Sequence, residues 1–135
     1  MKRIYLLLII TMLVFTLIAC GQKPQPDLKG SYQSTAGKAE YVITLSFDLN
    51  DNVFFEYIDN RQVDTGTFEK MKGNTYQLKS ERQDFEIVLN RDNIFEITLA
   101  KLNNGKPLQI KNVDDIPVSF GNQYNDIDKY KALLD

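Results

Sequence analysis

Short apolar runs separated by turn residues fill most of the chain, from Leu28 towards the C-terminus. The clearest run is 41–47, in which aromatic and aliphatic side chains occupy every second position. Between them, Val42, Thr44 and Ser46 share the opposite face. This period of two is typical of a β-strand that is buried on one side.

Similar runs recur along the chain and are separated by clusters of Asn, Asp and Gly, about every eight to twelve residues. The predicted strands cover 28–32, 41–47, 53–58, 62–70, 75–79, 85–89, 94–99 and 108–110. We therefore expect one all-β domain over 28–135, an antiparallel up-and-down meander of about eight strands that closes as a barrel or folds into a sandwich.

The last ten residues or so have a different pattern. Asn125 can cap a helix in which Ile127, Tyr130 and Leu134 share one face. A short C-terminal helix docked on the sheet is the prediction.

The predicted inward face of the sheet is rich in large side chains. Its members are Tyr41, Ile43, Leu45, Phe47, Phe55, Tyr57, Phe68, Tyr76, Leu78, Phe85, Ile87, Leu89, Phe95, Ile97 and Leu99. An eight-stranded barrel is either filled by its own side chains or holds one small ligand. The bulk of this set favours a filled core. In a hollow barrel the ligand would be lined by Tyr41, Phe47, Phe55, Tyr57, Tyr76, Phe85 and Phe95.

Composition excludes several kinds of chemistry. The chain has no His and one Cys, so His-based catalysis, His-metal sites and internal disulfides are absent, and we expect neither a metal nor a cofactor. Residues 1–19 hold two of the 16 basic residues and none of the 18 acidic ones, which leaves the remainder with a net charge of −4. An acidic surface argues against nucleic acid as a partner.

The N-terminus has the composition of a secretory signal. Lys2 and Arg3 precede an uncharged apolar stretch from Ile4 to Ala19. This stretch is slightly shorter than the roughly 17 to 25 residues of a membrane-spanning helix, although an uncleaved N-terminal helix remains the alternative.

The residues Leu17-Ile18-Ala19-Cys20 resemble the bacterial lipobox. The resemblance implies lipid transfer to the Cys20 sulfur and cleavage between Ala19 and Cys20. Residues 1–19 are then the signal peptide, and residues 20–27 are the lipidated cysteine and a flexible tether. The mature protein would be held by lipid on the extracytoplasmic face of the cell membrane, since two or more acyl chains anchor stably.

A second resemblance covers the domain. Gly30-Ser31-Tyr32, Gly66-Thr67-Phe68 and the segment 74–78 resemble the lipocalin-like lipoproteins of bacteria, which open with a Gly-x-aromatic motif. The resemblance implies an up-and-down barrel that can hold an apolar ligand.

Two short motifs suggest other chemistry. Asp64-Thr65-Gly66-Thr67, with Ser119-Phe120-Gly121 downstream, matches retroviral-type aspartic peptidases, in which two subunits pair their aspartates. Asp48 to Asn52 resembles the start of a calcium loop, but Val53 stands where that loop needs Gly, so a hairpin turn is the better interpretation.

These observations favour a monomeric, non-enzymatic surface lipoprotein that binds a small apolar ligand or a peptide. An immunity or exclusion lipoprotein that binds a toxic peptide or an envelope partner is the alternative, and acidic residues at Asp59, Asp64, Asp114 and Asp115 would suit a cationic peptide. The aspartic peptidase remains a remote third hypothesis.

Overall fold

The computed structural model describes residues 21–35, 40–121 and 123–135. The predicted signal peptide and Cys20 lie outside these residues. In the described part of the chain, no helix has both the length and the apolar character needed to cross a membrane.

The described residues form an all-β fold, as predicted. The strands are β1 Gly30–Ser34, β2 Ile43–Asp48, β3 Val53–Ile58, β4 Arg61–Lys70, β5 Thr75–Ser80, β6 Asp84–Val88, β7 Ile94–Ile97 and β8 Leu108–Asp114. A short helix, α1, spans Ile127–Lys131. All pairs are antiparallel, in agreement with short connections between consecutive strands.

The sheet is a nearly closed barrel. The strand order is β6-β5-β4-β3-β2-β1-β8-β7, so the first strand pairs with the last and the meander closes on itself. β6 and β7 follow each other in the chain, yet they are the two edges of the sheet. The barrel therefore has one seam, between β6 and β7.

The alternating strands give the barrel two distinct ends. At the entry end lie the turns at 49–52, 71–74 and 89–93 and the incoming segment 21–29. At the helix end lie the turns at 59–60 and 81–83, the connection 98–107 and α1. These two names are used below.

Four aromatic rings pack together in the part of the core that lies towards the entry end. Tyr32 contacts Phe47 and Phe95, and Phe47 also contacts Phe68, with ring centroids 5.1 to 5.6 Å apart. Each of the four side chains is at most 5% exposed. Edge-to-face pairs at these distances are favourable, and they fill the space in which they meet.

The side chains of β3 face the opposite way from the prediction. Phe54 and Ile58 are fully buried in the core, and Glu56 between them is also 0% exposed. Phe55 and Tyr57, predicted to point inward, therefore lie on the outer face. Because side chains alternate along a strand, the error at Phe55 and Tyr57 also reverses Glu56, a residue type that is rarely buried.

The outer face of β1 to β3 is covered by the chain that follows β8. Ser31 Oγ donates to Ile116 O at 2.7 Å, and Val118 N donates to Ser31 Oγ at 2.9 Å. Further on, the Phe120 ring packs edge-on against Tyr57, with centroids 4.9 Å apart. Ser46, on the intervening strand β2, is consequently buried although it points away from the core.

The C-terminal helix is held at the helix end by Arg61. The guanidinium donates two hydrogen bonds of 3.0 Å to Asp126 and one of 2.8 Å to Asp59 O. It also lies between the rings of Tyr124 and Tyr130, 4.0 and 4.6 Å from their centroids. The predicted cap at Asn125 is wrong, because Asp126 precedes the helix and its carboxylate binds Arg61 instead of the backbone.

Arg61→Lys is expected to loosen the segment 123–135 while leaving the strands paired. An ammonium keeps the charge but cannot bond Asp126 in two places or stack between two rings. Hydrogen exchange measured by mass spectrometry should become several-fold faster in this segment and remain unchanged in β2 and β3. Arg82→Lys is the control, because the Arg82–Asp135 pair is more exposed; equal effects of the two variants would contradict this role for Arg61.

Candidate functional site

A cluster of four polar side chains is enclosed near the helix end of the barrel. It contains Glu56 on β3, Asp64 on β4, Ser80 at the end of β5 and Gln83 in the following turn. Glu56 and Asp64 are directly opposite each other in the β3–β4 ladder. Both are buried, with exposed fractions of 0% and 8%. Two carboxyl groups in an apolar interior are unusual, which makes this cluster the candidate site.

A β-bulge brings the two carboxyl groups together. Glu56 pairs with Asp64, but the next residue, Tyr57, pairs with Gln62, so Val63 is an extra residue in β4. Val63 is 1% exposed and belongs to the core. Bulges often redirect a side chain next to a functional site, and this one lets both Val63 and Asp64 be buried.

One amide group bridges the two carboxyl groups. Gln83 Nε2 donates to Glu56 Oε2 at 2.6 Å and to Asp64 Oδ2 at 3.0 Å. Ser80 Oγ also donates to Asp64 Oδ2, at 2.6 Å, and the Thr65 backbone N donates to Asp64 Oδ1 at 2.9 Å. Asp64 is thus well supplied with donors that stabilise its charged form.

Glu56 has a poorer supply of donors. Its second oxygen, Oε1, is buried and has no hydrogen-bond partner among the described residues. Burial is the main cause that raises the pKa of Glu56 to about 7; the nearby Asp64 adds to the rise, and the Gln83 hydrogen bond opposes it. This pKa lets Glu56 bind and release a proton near neutral pH.

The cluster can bind a proton or a positively charged group between its two carboxyl groups. Gln83 Nε2 occupies the position that such a group would take. Ser80 is engaged as a donor to Asp64 and as an acceptor from the backbone N of Arg82 and Gln83, at 3.0 and 2.9 Å. These bonds assign Ser80 a structural part in the β5–β6 turn.

Two openings lead towards the cluster. On the Asp64 side, a cleft of about 400 Å³ lies between β4 and the β5–β6 turn, and Arg82 and Lys131 line it. On the Gln83 side, a groove of about 430 Å³ follows the seam between β6 and β7. Gln83 lines this groove while its amide group bonds the two carboxyl groups, so it separates the groove from Glu56.

The seam groove combines free strand edges, apolar side chains and acidic side chains. Phe85 and Ile97 contribute apolar surface, and Glu86 and Glu96 face each other across the seam. Neither glutamate forms an ion pair with another described residue. The two strands are joined near their shared turn, where Asn90 N donates to Ile94 O at 2.9 Å, but no ladder pairs β6 with β7 in the described sheet.

The seven residues predicted to line a ligand do not form one surface. Phe47, Tyr76 and Phe95 are core residues, and Tyr41 and Phe85 are partly buried against the core. Phe55 and Tyr57 lie on the other face of the sheet. A ligand at these residues stays a prediction, and their placement makes a common cavity for all seven impossible.

The Asp64-Thr65-Gly66-Thr67 motif lies within β4 and has a structural explanation. A Cβ at Gly66 would collide with the Lys79 carbonyl oxygen on β5 and lie 2.8 Å from Phe54 Cε1. The glycine is therefore needed for close approach of the strands. The calcium-like segment is the β2–β3 hairpin turn, as predicted, with Asn52 in the left-handed region at φ 53°.

Sequence reasoning singled out Asp64 for a different reason and missed Glu56, Ser80 and Gln83. The sequence does carry one hint for Glu56: β3 has apolar side chains on both faces, which is typical of a strand covered on both sides, and Glu56 lies within it. No local pattern marks Gln83, because its importance comes from a turn folding over a strand 27 positions earlier in the chain.

Comparison with known proteins identifies no relative. The chain matches none of the protein-family models, curated proteins or solved structures with which it was compared.

Glu56→Gln is expected to remove a pH dependence of stability. The folded state raises the pKa of Glu56 from its usual 4.5 to about 7, so folding favours the protonated form. The wild type should therefore lose about 3 kcal/mol of stability relative to the variant as pH rises from 4.5 to 7, and no more above 7. Urea unfolding at a series of pH values measures this difference.

Glu86→Gln provides the matched control, because Glu86 is exposed on β6 and its substitution removes the same charge. A stability difference between wild type and Glu56→Gln that stays constant between pH 4.5 and 7 would refute the buried, protonated state of Glu56.

Proposed function

We propose that this chain is a non-enzymatic lipoprotein, anchored through Cys20 to the extracytoplasmic face of a bacterial cell membrane, that binds an extended cationic peptide segment in the seam between β6 and β7. The observation that carries the peptide part is the groove itself, in which two unpaired strand edges face each other beside Glu86 and Glu96. An extended segment can add to a free sheet edge by main-chain hydrogen bonds.

The groove is preferred to the barrel interior as the binding site. The interior is filled by core side chains, among them the contacting rings of Tyr32, Phe47, Phe68 and Phe95, so an apolar ligand would have to displace them. Such displacement is costly in a close-packed core. A peptide in the seam displaces no core side chain.

The charge of the groove selects the kind of peptide. Asp84, Glu86 and Glu96 line it, and no Lys or Arg does so. Complementary charge speeds association and excludes like-charged partners. A Lys or Arg side chain that displaced Gln83 would also reach Glu56 and Asp64. Sequestration of a toxic cationic peptide, the immunity-type role, would use this same site.

The anchor rests on the lipobox at residues 17–20. Cys20→Ala should remove the mature-size protein from the membrane fraction, because the thiol that receives the lipid is gone and no acyl chains are attached to hold the mature form. Fractionation with immunoblotting measures this, and the strand domain should remain protease-resistant. Wild-type membrane retention of the Cys20→Ala variant at mature size would refute the anchor.

The peptide site can be tested with a synthetic octapeptide of alternating lysine and valine, titrated against the purified full-length lipoprotein in detergent by fluorescence anisotropy. Binding should be lost when alternate backbone nitrogens of the peptide are methylated, since methylation removes ladder donors but no charge. It should also be lost when glutamate replaces lysine. Equal affinity for the methylated peptide would show attraction by charge alone and refute strand addition.

A paired substitution locates the site. Glu86→Gln with Glu96→Gln should weaken binding about fivefold to tenfold, as expected for two partly exposed charge contacts. Glu40→Gln with Glu69→Gln removes the same charge from exposed positions outside the groove and should have little effect. Equal losses in the two double variants would place the peptide elsewhere.

A further inference from the structure

Exposed apolar side chains are concentrated at one end of the barrel. In the described part of the chain, five large apolar residues are exposed, by 49% to 69%: Leu49, Met71, Val88, Val113 and Ile116. Leu49 and Met71 lie in the entry-end turns at 49–52 and 71–74. Val88 is the last residue of β6, and Val113 and Ile116 lie at and just after the end of β8. All five therefore belong to the entry end.

The five side chains are distributed around the barrel instead of forming one patch. Following the strand order, Val88 is on β6, Met71 follows β4, Leu49 follows β2, and Val113 is on β8. Val113 is also the extra residue of a β-bulge, since Ser31 pairs with Asp114 and Tyr32 with Asn112. Apolar side chains exposed singly are common on protein surfaces, but here all five large ones of the described residues lie at the same end of the barrel. A ring of apolar side chains around one end of the barrel fits a flat surface, because a flat surface can contact all of them at the same time.

The chain itself enters at this end. Lys23 forms a 2.9 Å ion pair with Asp92, Gln25 Nε2 donates to Leu89 O at 2.8 Å, and Leu28 is fully buried in the core. Gly21, the first described residue, directly follows Cys20, and consecutive Cα atoms are about 3.8 Å apart. Lipid on Cys20 would therefore lie beside the entry end.

Charges of both signs are mixed at the entry end, where Lys72 and Arg91, which form no ion pair with another described residue, lie among Asp48, Asp51 and Asp114. Three of the five ion pairs in the described residues lie here: Lys23–Asp92, Lys29–Asp115 and Lys70–Asp27. Lysines paired in this way contribute little to binding of anionic headgroups. Contact with a membrane at this end would thus come from apolar insertion and not from lipid charge.

We propose that the entry end docks on the lipid surface, with Leu49, Met71, Val88, Val113 and Ile116 in the boundary between headgroups and acyl chains. This rests on the proposed lipidation of Cys20 and adds an orientation to it. The helix end points away from the membrane, and the seam groove, which lies towards that end, opens to the outside.

The single native cysteine makes a direct test possible, because lipidated Cys20 leaves an introduced cysteine as the only free thiol. Leu49→Cys, Met71→Cys and, as a control at the helix end, exposed Lys106→Cys can each carry a polarity-sensitive fluorophore. The full-length lipoprotein is reconstituted in phosphatidylcholine vesicles, with and without phosphatidylglycerol. Brominated acyl chains then quench from the lipid and iodide quenches from water.

Labels at positions 49 and 71 should be quenched by brominated lipid and protected from iodide, and the label at position 106 should behave in the opposite way. Phosphatidylglycerol should change neither result. Labels at 49 and 71 that are as accessible to iodide as the label at 106 would overturn the docking. Protection from both quenchers would also overturn it, by showing that protein covers this end.

The same samples separate this proposal from the anchor on which it rests. Mass spectrometry reports whether Cys20 carries lipid. A lipidated protein with water-exposed labels refutes the docking alone. A protein in which Cys20 itself reacts with the fluorophore refutes the lipidation, and the docking falls with it.

Discussion

The ladder between the first strand and the last is the interaction on which the rest of the structure depends. It joins residues about 80 positions apart, so it must be supported by contacts that form only when the whole sheet is present. Gly30 permits it: the backbone there has φ 77°, and a Cβ would collide with the Asp114 carbonyl oxygen. Because the sheet closes between β1 and β8, β6 and β7 remain as its two edges. The seam lies between these two strands for that reason.

A buried carboxyl group is the main conflict that this closure creates. Glu56 is fully buried and accepts a hydrogen bond from one donor among the described residues, so burial raises its pKa, whereas Asp64 opposite it has three donors. Ionisation of Glu56 above neutral pH is therefore unfavourable for the folded state. A buried carboxyl group of this kind marks a candidate site for a proton or a charged ligand, and Gln83 is the side chain that separates it from the adjoining groove.

The two ends of the barrel have different surfaces for a physical reason. At the helix end, α1, Leu133 and Leu134 cover the core, and Arg61 holds this cover in place through Asp126. The hydrogen bond and charge of Arg61 also keep the pKa of Asp126 below its usual value. Among the described residues, the segment 21–29 covers the entry end, whose turns at 49–52 and 71–74 carry the exposed Leu49 and Met71. A membrane against the entry end would bury the apolar side chains that remain exposed there in the folded domain.

Local pattern was sufficient for the strands, the turns and the class of fold. Alternation over two or more residue pairs fixes where a strand runs, and Asn, Asp and Gly fix the turns, because both depend on neighbours in the chain. The same locality explains the lipobox hypothesis at Cys20, which needs only four residues. Because sequence patterns are local, Asp64 could be singled out as part of the 64–67 motif. Its spatial neighbours Glu56, Ser80 and Gln83 could not be identified in the same way.

Only the tertiary structure decided which face of β3 points inward, which strands are edges and which polar groups meet. Phe54 and Phe55 are equally apolar, so the side chains of β3 could point either way until the segment 116–120 covered the outer face and Gln83 bonded Glu56. These contacts join residues far apart in the chain, and no local pattern records them. The sequence by itself determined an all-β meander and carried the lipobox hypothesis, whereas closure of the sheet decided the barrel, its seam, the buried carboxyl pair and the apolar entry end.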